Sequence, residues 1–326
     1  MKQIAVISGW HVHAKGYAQE VNASGLGKVC RVWDEVPERG REWAKELGAP
    51  FSASLSEIWE DGSIDGVLIC APTSLHAKIM VEAAQAGKHI FTEKVLALSS
   101  DECAEIAKAV EENQVLFSIS YPHRTLPQNL LAKELLDGGF LGRPTLVRIR
   151  NAHNGSVGNW LPPHFYDREQ CGGGAMIDLG AHGMYLSRWL LGEPKSILSM
   201  FTNVTPVPVE DNAVSVIEFS HGAIAVNETG FVTPSSPFSL EIYGTEGSYL
   251  LRGDQAPQLN SPKIEGDASQ WIQAHLPKPL DSAIVNWLSA MDGKAEIQFP
   301  LKDAVALTQL MEGAYASWRT GRKIEF

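Results

Sequence analysis

Cysteine is scarce in this sequence. Cys30, Cys70, Cys103 and Cys171 are the only four in 326 residues, and no two stand at CxxC or CxxxC spacing. That excludes a zinc ribbon and a thioredoxin-type redox pair, and scattered thiols suit a reducing compartment. Long apolar runs are missing too. The strongest, Gly66–Ala71 and Ala213–Ile217, are strand-sized, far short of the ~20 residues of a membrane helix. Positive charge is in deficit: 27 Lys and Arg stand against 38 Asp and Glu, a net charge of −11. Such a chain repels phosphate backbones and anionic membranes, so neither nucleic acid nor membrane is expected as a partner. No basic segment, apolar core and small-residue cleavage site precede the first strand pattern, at Lys2–Ser8. No signal peptide is therefore expected, and the expected location is the cytoplasm.

What is present is ordinary for a folded protein, with 44% hydrophobic and 20% charged residues. At ~150 residues per domain the length suggests about two domains, large enough to bury cores without disulfides. The first third alternates short apolar runs with helical patterns. Strands are expected at Ile4–Ser8, Val29–Asp34, Gly66–Cys70, His89–Thr92 and Val115–Ser120. Helices are expected at Ala14–Ala23, Pro37–Leu47, Thr73–Ala86 and from Ser99 to about Glu112. Ser54–Glu57 and Ser99–Glu102 both read as capping boxes. Nearly continuous apolar strands alternating with helices specify a doubly wound parallel sheet.

After Tyr121–Pro122 the pattern changes. Helices are expected at Asn129–Asp137, Ala175–Leu191 and about Leu301–Trp318. Strands are expected at Thr145–Arg150, Ile197–Thr202, Ala213–Phe219, Ala223–Asn227, Phe238–Tyr243 and Ser248–Leu251, with hairpins at His221-Gly222 and Gly244–Gly247. This is the signature of an α+β domain with an open, mostly antiparallel sheet. Arg252–Gln270 reads as a polar surface loop. The expected domains are 1–122 and 123–326, with the last helix free to pack back on the first.

The turn after the first strand reads Gly9-Trp10-His11-Val12-His13-Ala14. Dinucleotide pyrophosphates sit where a strand ends in glycine and a helix begins. Against GxGxxG/A the turn keeps the first and third small residues and puts His11 at the middle glycine. Asp34 ends the second strand, 25 residues after Gly9, where a carboxylate accepts from ribose hydroxyls and repels a 2′-phosphate. That favours NAD over NADP, although Arg31 and Arg39 nearby soften the preference. His11 and His13 have no third ligand at a supporting spacing, so no metal is expected.

Two later segments carry the chemistry. Glu93-Lys94-Val95 ends a strand of the parallel sheet, the edge where open α/β sheets bind ligands. Gly172-Gly173-Gly174 precedes a helix on which Asp178 and His182 stand at i and i+4, on one face. With Pro72…His76, Ala86–His89, Arg124…Pro127, Gly139…Gly142 and Ile242–Gly247, these segments make the sequence resemble the Gfo/Idh/MocA family of sugar and inositol dehydrogenases over nearly its whole length.

The resemblance implies a Rossmann domain followed by an α/β domain. It implies an NAD(H)-dependent oxidoreductase interconverting a secondary alcohol and a ketone on a sugar, sugar derivative or inositol. Catalysis is implied at Lys94, Asp178 and His182. Cofactor contacts are implied at Gly9, Trp10, His11, Val12, Asp34, Ala71, Pro72, Thr73, His76, Glu93 and Lys94. Alcohol oxidation needs a proton acceptor and a stabiliser for the developing oxyanion. His182 suits the first role because its ordinary pKa lies near neutrality, and Lys94 suits the second; which is the formal base is open. Asp178 can orient the imidazole or hold a neighbouring hydroxyl. The family's usual Glu-Lys-Pro is Glu93-Lys94-Val95 here, and a Lys-Val bond is expected to be trans.

Substrate contacts are expected from Tyr121, His123 and Arg124, from the aromatic and polar loop His153, Asn154 and Trp160, and from Asp178 and His182. The open sheet face is expected to pair subunits as a homodimer or homotetramer. Two alternatives remain open: a glycoside-cleaving enzyme that uses bound NAD for transient oxidation, and a non-catalytic nucleotide- or sugar-sensing regulator.

Overall fold

The computed structural model of the chain describes residues 1–264 and 270–326. It divides into two compact units, Met1–Pro122 with Asp281–Thr308, and His123–Leu280 with Gln309–Phe326. Residues 281–308, expected with the second domain, thus cluster with the first.

The first unit begins β1 (Lys2–Ile7), α1 (Ala14–Ala23), β2 (Gly27–Trp33), α2 (Pro37–Leu47), α3 (Ser56–Trp59) and β3 (Gly66–Ile69). It continues α4 (His76–Gln85), β4 (His89–Thr92), α5 (Ser100–Glu112) and β5 (Phe117–Ile119). All strands are parallel, in the order β2-β1-β3-β4-β5. Ile4–Ile7 and Val67–Ile69 have no exposed surface, as a sheet covered on both faces requires. Truncating one such Ile or Leu to Ala would cost about 2–5 kcal/mol.

The second unit contains α6 (Pro127–Asp137), β6 (Pro144–Ala152), α7 (Arg168–Cys171), α8 (Ala181–Leu191) and β7 (Pro194–Thr202). There follow β8 (Asn212–Phe219), β9 (Ile224–Gly230), β10 (Ser239–Gly244), β11 (Ser248–Arg252), β12 (Gln258–Asn260) and β13 (Ile272–Gln273). The segment 281–308 of the first unit then supplies α9 (Ala283–Met291) and the start of α10 (Leu301–Thr320), and the second unit resumes with the rest of α10 and β14 (Ile324–Glu325). The sheet order is β13-β12-β11-β10-β6-β9-β8-β7-β14. Every pairing is antiparallel except β6 with β9. Along β6, Val147 and Ile149 are buried while Arg148 faces solvent, the period-two pattern of a sheet with one wet face.

Several local expectations differ from the structure. The Ser54 capping box does not form: Leu55 is the N-cap of α3 with no side-chain bond, and Ser54 Oγ lies 2.8 Å from Ser56 Oγ instead. A hydroxyl that finds a neighbour is lost to the helix end. The helix expected at Thr73–Ala86 opens as a 3-10 turn over Thr73–Leu75 before α4. The helix expected from Ala175 is a π-helical turn over Met176–Gly180 running into α8. The polar stretch Arg252–Gln270 includes β12, because Tyr249 on the neighbouring strand offers free pairing sites to Leu259; its residues 265–269 lie outside the described residues. α9 escaped the sequence reading because it is nine residues long and mostly apolar, and a short apolar run does not by itself separate a buried helix from a strand. Its Trp287 is fully buried, 5.7 Å from the Phe91 ring, and a Cβ on Gly66 would come within 3.0 Å of it.

Candidate active site

The nucleotide loop follows β1. The N-terminus of α1 has no side-chain cap and no acidic residue in its first turn. Its partial positive charge is left for an anion. A pocket of about 270 Å³ lies against this end, lined by Gly9, His11, Val12, Lys15 and Arg39 among others. Trp10 is buried and its N–H donates to Ser8 Oγ (3.0 Å), while Val12 is exposed. These features fit a dinucleotide pyrophosphate.

Asp34 is buried at the end of β2 and already fully engaged. Its Oδ2 accepts from Gly9 N–H (2.8 Å) and Arg39 Nε (2.9 Å). Its Oδ1 accepts from Val36 N–H (2.8 Å) and Arg39 Nη2 (2.7 Å). A carboxylate offers about four acceptor positions, so a ribose hydroxyl reaches Asp34 only as Arg39 swings away. Arg31 is elsewhere, paired with Asp61 at 3.0 Å.

Glu93 gathers the loop histidines. His13 Nδ1 lies 2.8 Å and His11 Nδ1 3.8 Å from Glu93 Oε1. Tyr17 donates its hydroxyl to the same oxygen and lies 2.6 Å from Ser120 Oγ. Glu93 Oε2 accepts from Lys94 N–H (2.9 Å). Burial works to raise the Glu93 pKa, but His11, His13 and Lys94 outweigh it and hold the carboxyl well below the usual range. Sequence spacing gives the two histidines no third ligand, but the fold adds a carboxylate. The sheet brings Glu93 to them, with the three ligand atoms within 4.8 Å of one another, a contact that sequence spacing cannot show. Glu93 Oε1 already bonds His13 Nδ1 and the Tyr17 hydroxyl, and His11 Nδ1 accepts from His13 N–H (3.2 Å).

The Lys94-Val95 peptide is cis, which corrects the trans expectation. The surroundings fix this segment: Val95–Ala97 are buried, and the carbonyls of Val95 and Leu96 lie 3.1 and 3.0 Å from His76 Nδ1. His76 Nε2 meets Ala71 O at 3.1 Å. His76 therefore ties the end of β3, where Ala71, Pro72 and Thr73 are buried, to the lysine segment. Burial lowers its pKa although those carbonyls work to raise it. Lys94 is 7% exposed.

In the second unit, Asp178 lies in the π-helical turn and His182 in the first turn of α8. Such turns recur at functional sites. The imidazole Nδ1 of His182 is 2.9 Å from Tyr185 Oη, and that oxygen also accepts from His123 N–H (3.2 Å). His123 packs against His182 with ring centroids 4.8 Å apart. Arg124 lies over the Trp189 ring at 5.2 Å. The loop expected to meet substrate does come together. Trp160, 54% exposed, lies 4.7 Å from His153 and donates Nε1–H to Asn154 Oδ1 (3.1 Å). His153 stacks on Phe231 at 5.0 Å. Burial lowers the His153 pKa, and Asp178 opposes the shift.

Tyr121 is fully buried in the first unit, and its hydroxyl donates to Asp303 O at 3.1 Å. Sequence reasoning missed Tyr17, Tyr185, Glu210 and Tyr315, whose partners stand far off in sequence or, for Tyr185, one helical turn from His182.

Residues 4–121 match the oxidoreductase family with an NAD-binding Rossmann fold, and residues 129–250 match the GFO/IDH/MocA C-terminal domain. The chain is 31% identical over 249 residues to the scyllo-inositol 2-dehydrogenase (NAD(+)) of Bacillus subtilis (strain 168), covering 74% of this chain and 70% of the relative. It is 28% identical over 295 residues to the 1,5-anhydro-D-fructose reductase of Ensifer adhaerens, covering 87% and 86%. Levoglucosan dehydrogenase in complex with NADH and levoglucosan shares the fold, with a TM-score of 0.88, 21% identity and 99% of each chain covered. With a parallel nucleotide sheet, an uncapped helix end beneath a glycine turn and these matches in place, the chain belongs to the Gfo/Idh/MocA family of NAD-binding oxidoreductases.

Proposed function

We propose that the chain interconverts a secondary alcohol and a ketone on a cyclic polyol: a sugar, a sugar derivative or an inositol. The observation that carries this reading is a lysine and an imidazole, Lys94 and His182, each only 7% exposed, at the positions for which the resemblance implies catalysis. The relatives named above are dehydrogenases and a reductase whose names specify polyhydroxylated rings. They favour neither glycoside cleavage nor a non-catalytic sensor.

When bound, NAD supplies the two-electron acceptor. Lys94 donates to the substrate oxygen and stabilises the charge developing there. His182 takes the hydroxyl proton. For that its Nε2 needs a free lone pair, so Nδ1 carries the proton and donates to Tyr185 Oη, an oxygen able to accept from both His182 and His123 N–H. Asp178 orients a neighbouring hydroxyl or the imidazole. Trp160, His153 and Asn154 give an aromatic plane with polar edges, suited to a polyhydroxylated ring. Free thiols throughout support a cytoplasmic location.

We also propose that subunits pair through the open sheet face, as a homodimer or homotetramer. On β7–β9 this face exposes Leu198, Met200, Val214, Val216 and Ile224. Leu198 stands opposite Val216, and Met200 opposite Val214.

The test is a panel of cyclic polyols and sugars with NAD and NADP, followed by absorbance of the reduced cofactor. At least one ring alcohol should reduce NAD; none doing so would end the reading. Lys94→Ala and His182→Ala should each lower turnover by roughly 10²–10⁴-fold, and a wild-type rate in either removes that residue from the mechanism.

A further inference from the structure

Three consecutive backbone amides ahead of Asp178 end on a single residue from a distant strand connection. Gly174 N–H (2.8 Å) and Met176 N–H (3.1 Å) donate to Glu210 Oε1, and Ala175 N–H donates to Glu210 O (2.8 Å). The Ala175 carbonyl accepts from the Thr229 hydroxyl at 3.2 Å. Asp178 N–H then closes the turn on Gly174 O at 3.1 Å. Tyr315 donates its hydroxyl to Glu210 Oε1, and its ring is wedged by Phe201, 5.1 Å away. Glu210 has no exposed surface, and its Oε2 is buried without a hydrogen-bond partner.

The glycine run records the same approach. A Cβ on Gly173 would lie 1.9 Å from Tyr315 Oη, and one on Gly174 would lie 2.1 Å from Glu210 O. Gly172 does a different job, ending α7 at φ 86°. Amides at the start of a helical turn otherwise lack acceptors. Here one buried carboxylate and its own carbonyl supply them.

We infer that Glu210, locked by Tyr315, is the positioning residue of this site: it fixes the π-helical turn that presents Asp178 and leads into the helix of His182. The inference rests on the proposed function for what the turn is for. Its geometry stands by itself. A carboxylate with its second oxygen bare acts here as a fixed acceptor, so an amide that keeps one carbonyl oxygen should serve nearly as well. A side chain without an acceptor should not.

The experiment pairs amide hydrogen exchange of residues 174–182, read by mass spectrometry of peptides, with kinetics on a ring alcohol that the wild type oxidises. Glu210→Leu should speed exchange in this segment alone. It should lower kcat by up to ~10²-fold, the scale expected of a misplaced reacting group, while the Kd for NAD stays unchanged. Glu210→Gln should restore both protection and kcat to near wild type. Tyr315→Phe, a milder variant should Glu210→Leu fail to fold, should show a smaller, segment-confined increase in exchange and a few-fold loss of kcat. Wild-type exchange and kcat in Glu210→Leu, or in Tyr315→Phe if only that folds, would overturn the role. So would a rise in exchange spread over β7–β9 and α10, or a Glu210→Gln enzyme as impaired as Glu210→Leu. A wild type that oxidises no polyol would sink the proposed function, and the exchange data would still judge the clamp.

Discussion

Asp34 shows how much of a residue's setting its place in the sequence conveys and how much it leaves out. Its place at the end of β2 is legible from the apolar run and the distance to Gly9. The two bonds from Arg39 are not, because they require α2 to fold back over the strand end. Arg39→Ala should free two acceptor positions, tightening NAD several-fold and weakening NADP. Asp34→Ala should weaken NAD and erode discrimination against NADP. Fluorescence titration with both reduced dinucleotides checks the pair, and unchanged affinities in both variants would remove Asp34 from cofactor choice. Glu93 sets a second expectation. Its carboxyl is depressed below the unfolded value of about 4.3, so its contribution to stability is complete above that pH and is lost as the pH falls toward the folded value. Denaturant midpoints measured downward from about pH 5 should therefore fall more steeply in the wild type than in Glu93→Gln. Parallel acid limbs would show that His11 and His13 do not stabilise the anion. The family motif marked Glu93, but nothing in the spacing of residues 11, 13, 17 and 93 announces one network.

Among elements, the two capping boxes teach the limits of a local motif. At α5 the pattern is real: Glu102 N–H donates to Ser99 Oγ (3.2 Å), and Glu102 Oε2 accepts from Ser99 N–H (3.2 Å) and Leu98 N–H (2.9 Å). At α3 the same letters give no cap, since the helix is four residues long and starts one residue later than the motif implies. Ser99→Ala should cost about 1 kcal/mol of stability, measurable as a shift in urea midpoint at constant slope; no shift would mean that Glu102 alone holds the end. The strands and long helices were legible because burial on one face or two imposes a period. The π-helical turn was not: a Gly-Ala-Met-Ile-Asp-Leu-Gly run suits an α-helix equally well, and contacts to Glu210 decide otherwise. α9 was not legible either, being short and mostly apolar.

The two sheets make different demands on the surface of the whole molecule. The parallel sheet is covered on both faces, whereas the nine-stranded sheet leaves one face open. On that face Arg148 and Arg150 are neutralised by Glu228, at 2.7 and 3.4 Å, while β7–β9 expose side chains such as Met200, 73% accessible. The proposed pairing of subunits rests on this exposure, since large exposed apolar patches are uncommon on monomers. Met200→Glu combined with Val214→Glu should shift the chain toward monomer in sedimentation at micromolar concentration without altering its circular dichroism. A wild-type chain already monomeric there would refute pairing through this face. The open, mostly antiparallel sheet was legible from its alternating strands and hairpin turns. The parallel seam between β6 and β9 was not, because it joins segments about 80 residues apart.

Trp287 over Gly66 has a consequence for how the protein is made. The indole that seals β3 and rests against Phe91 is encoded after residues 123–280, the larger part of the second unit. A ribosome therefore releases a nucleotide sheet with one flank bare, and that flank stays uncovered until the segment 281–308 emerges. Fragments ending near residue 122 inherit the same exposed seam, so an excised cofactor unit should include this late segment, spliced on through a linker.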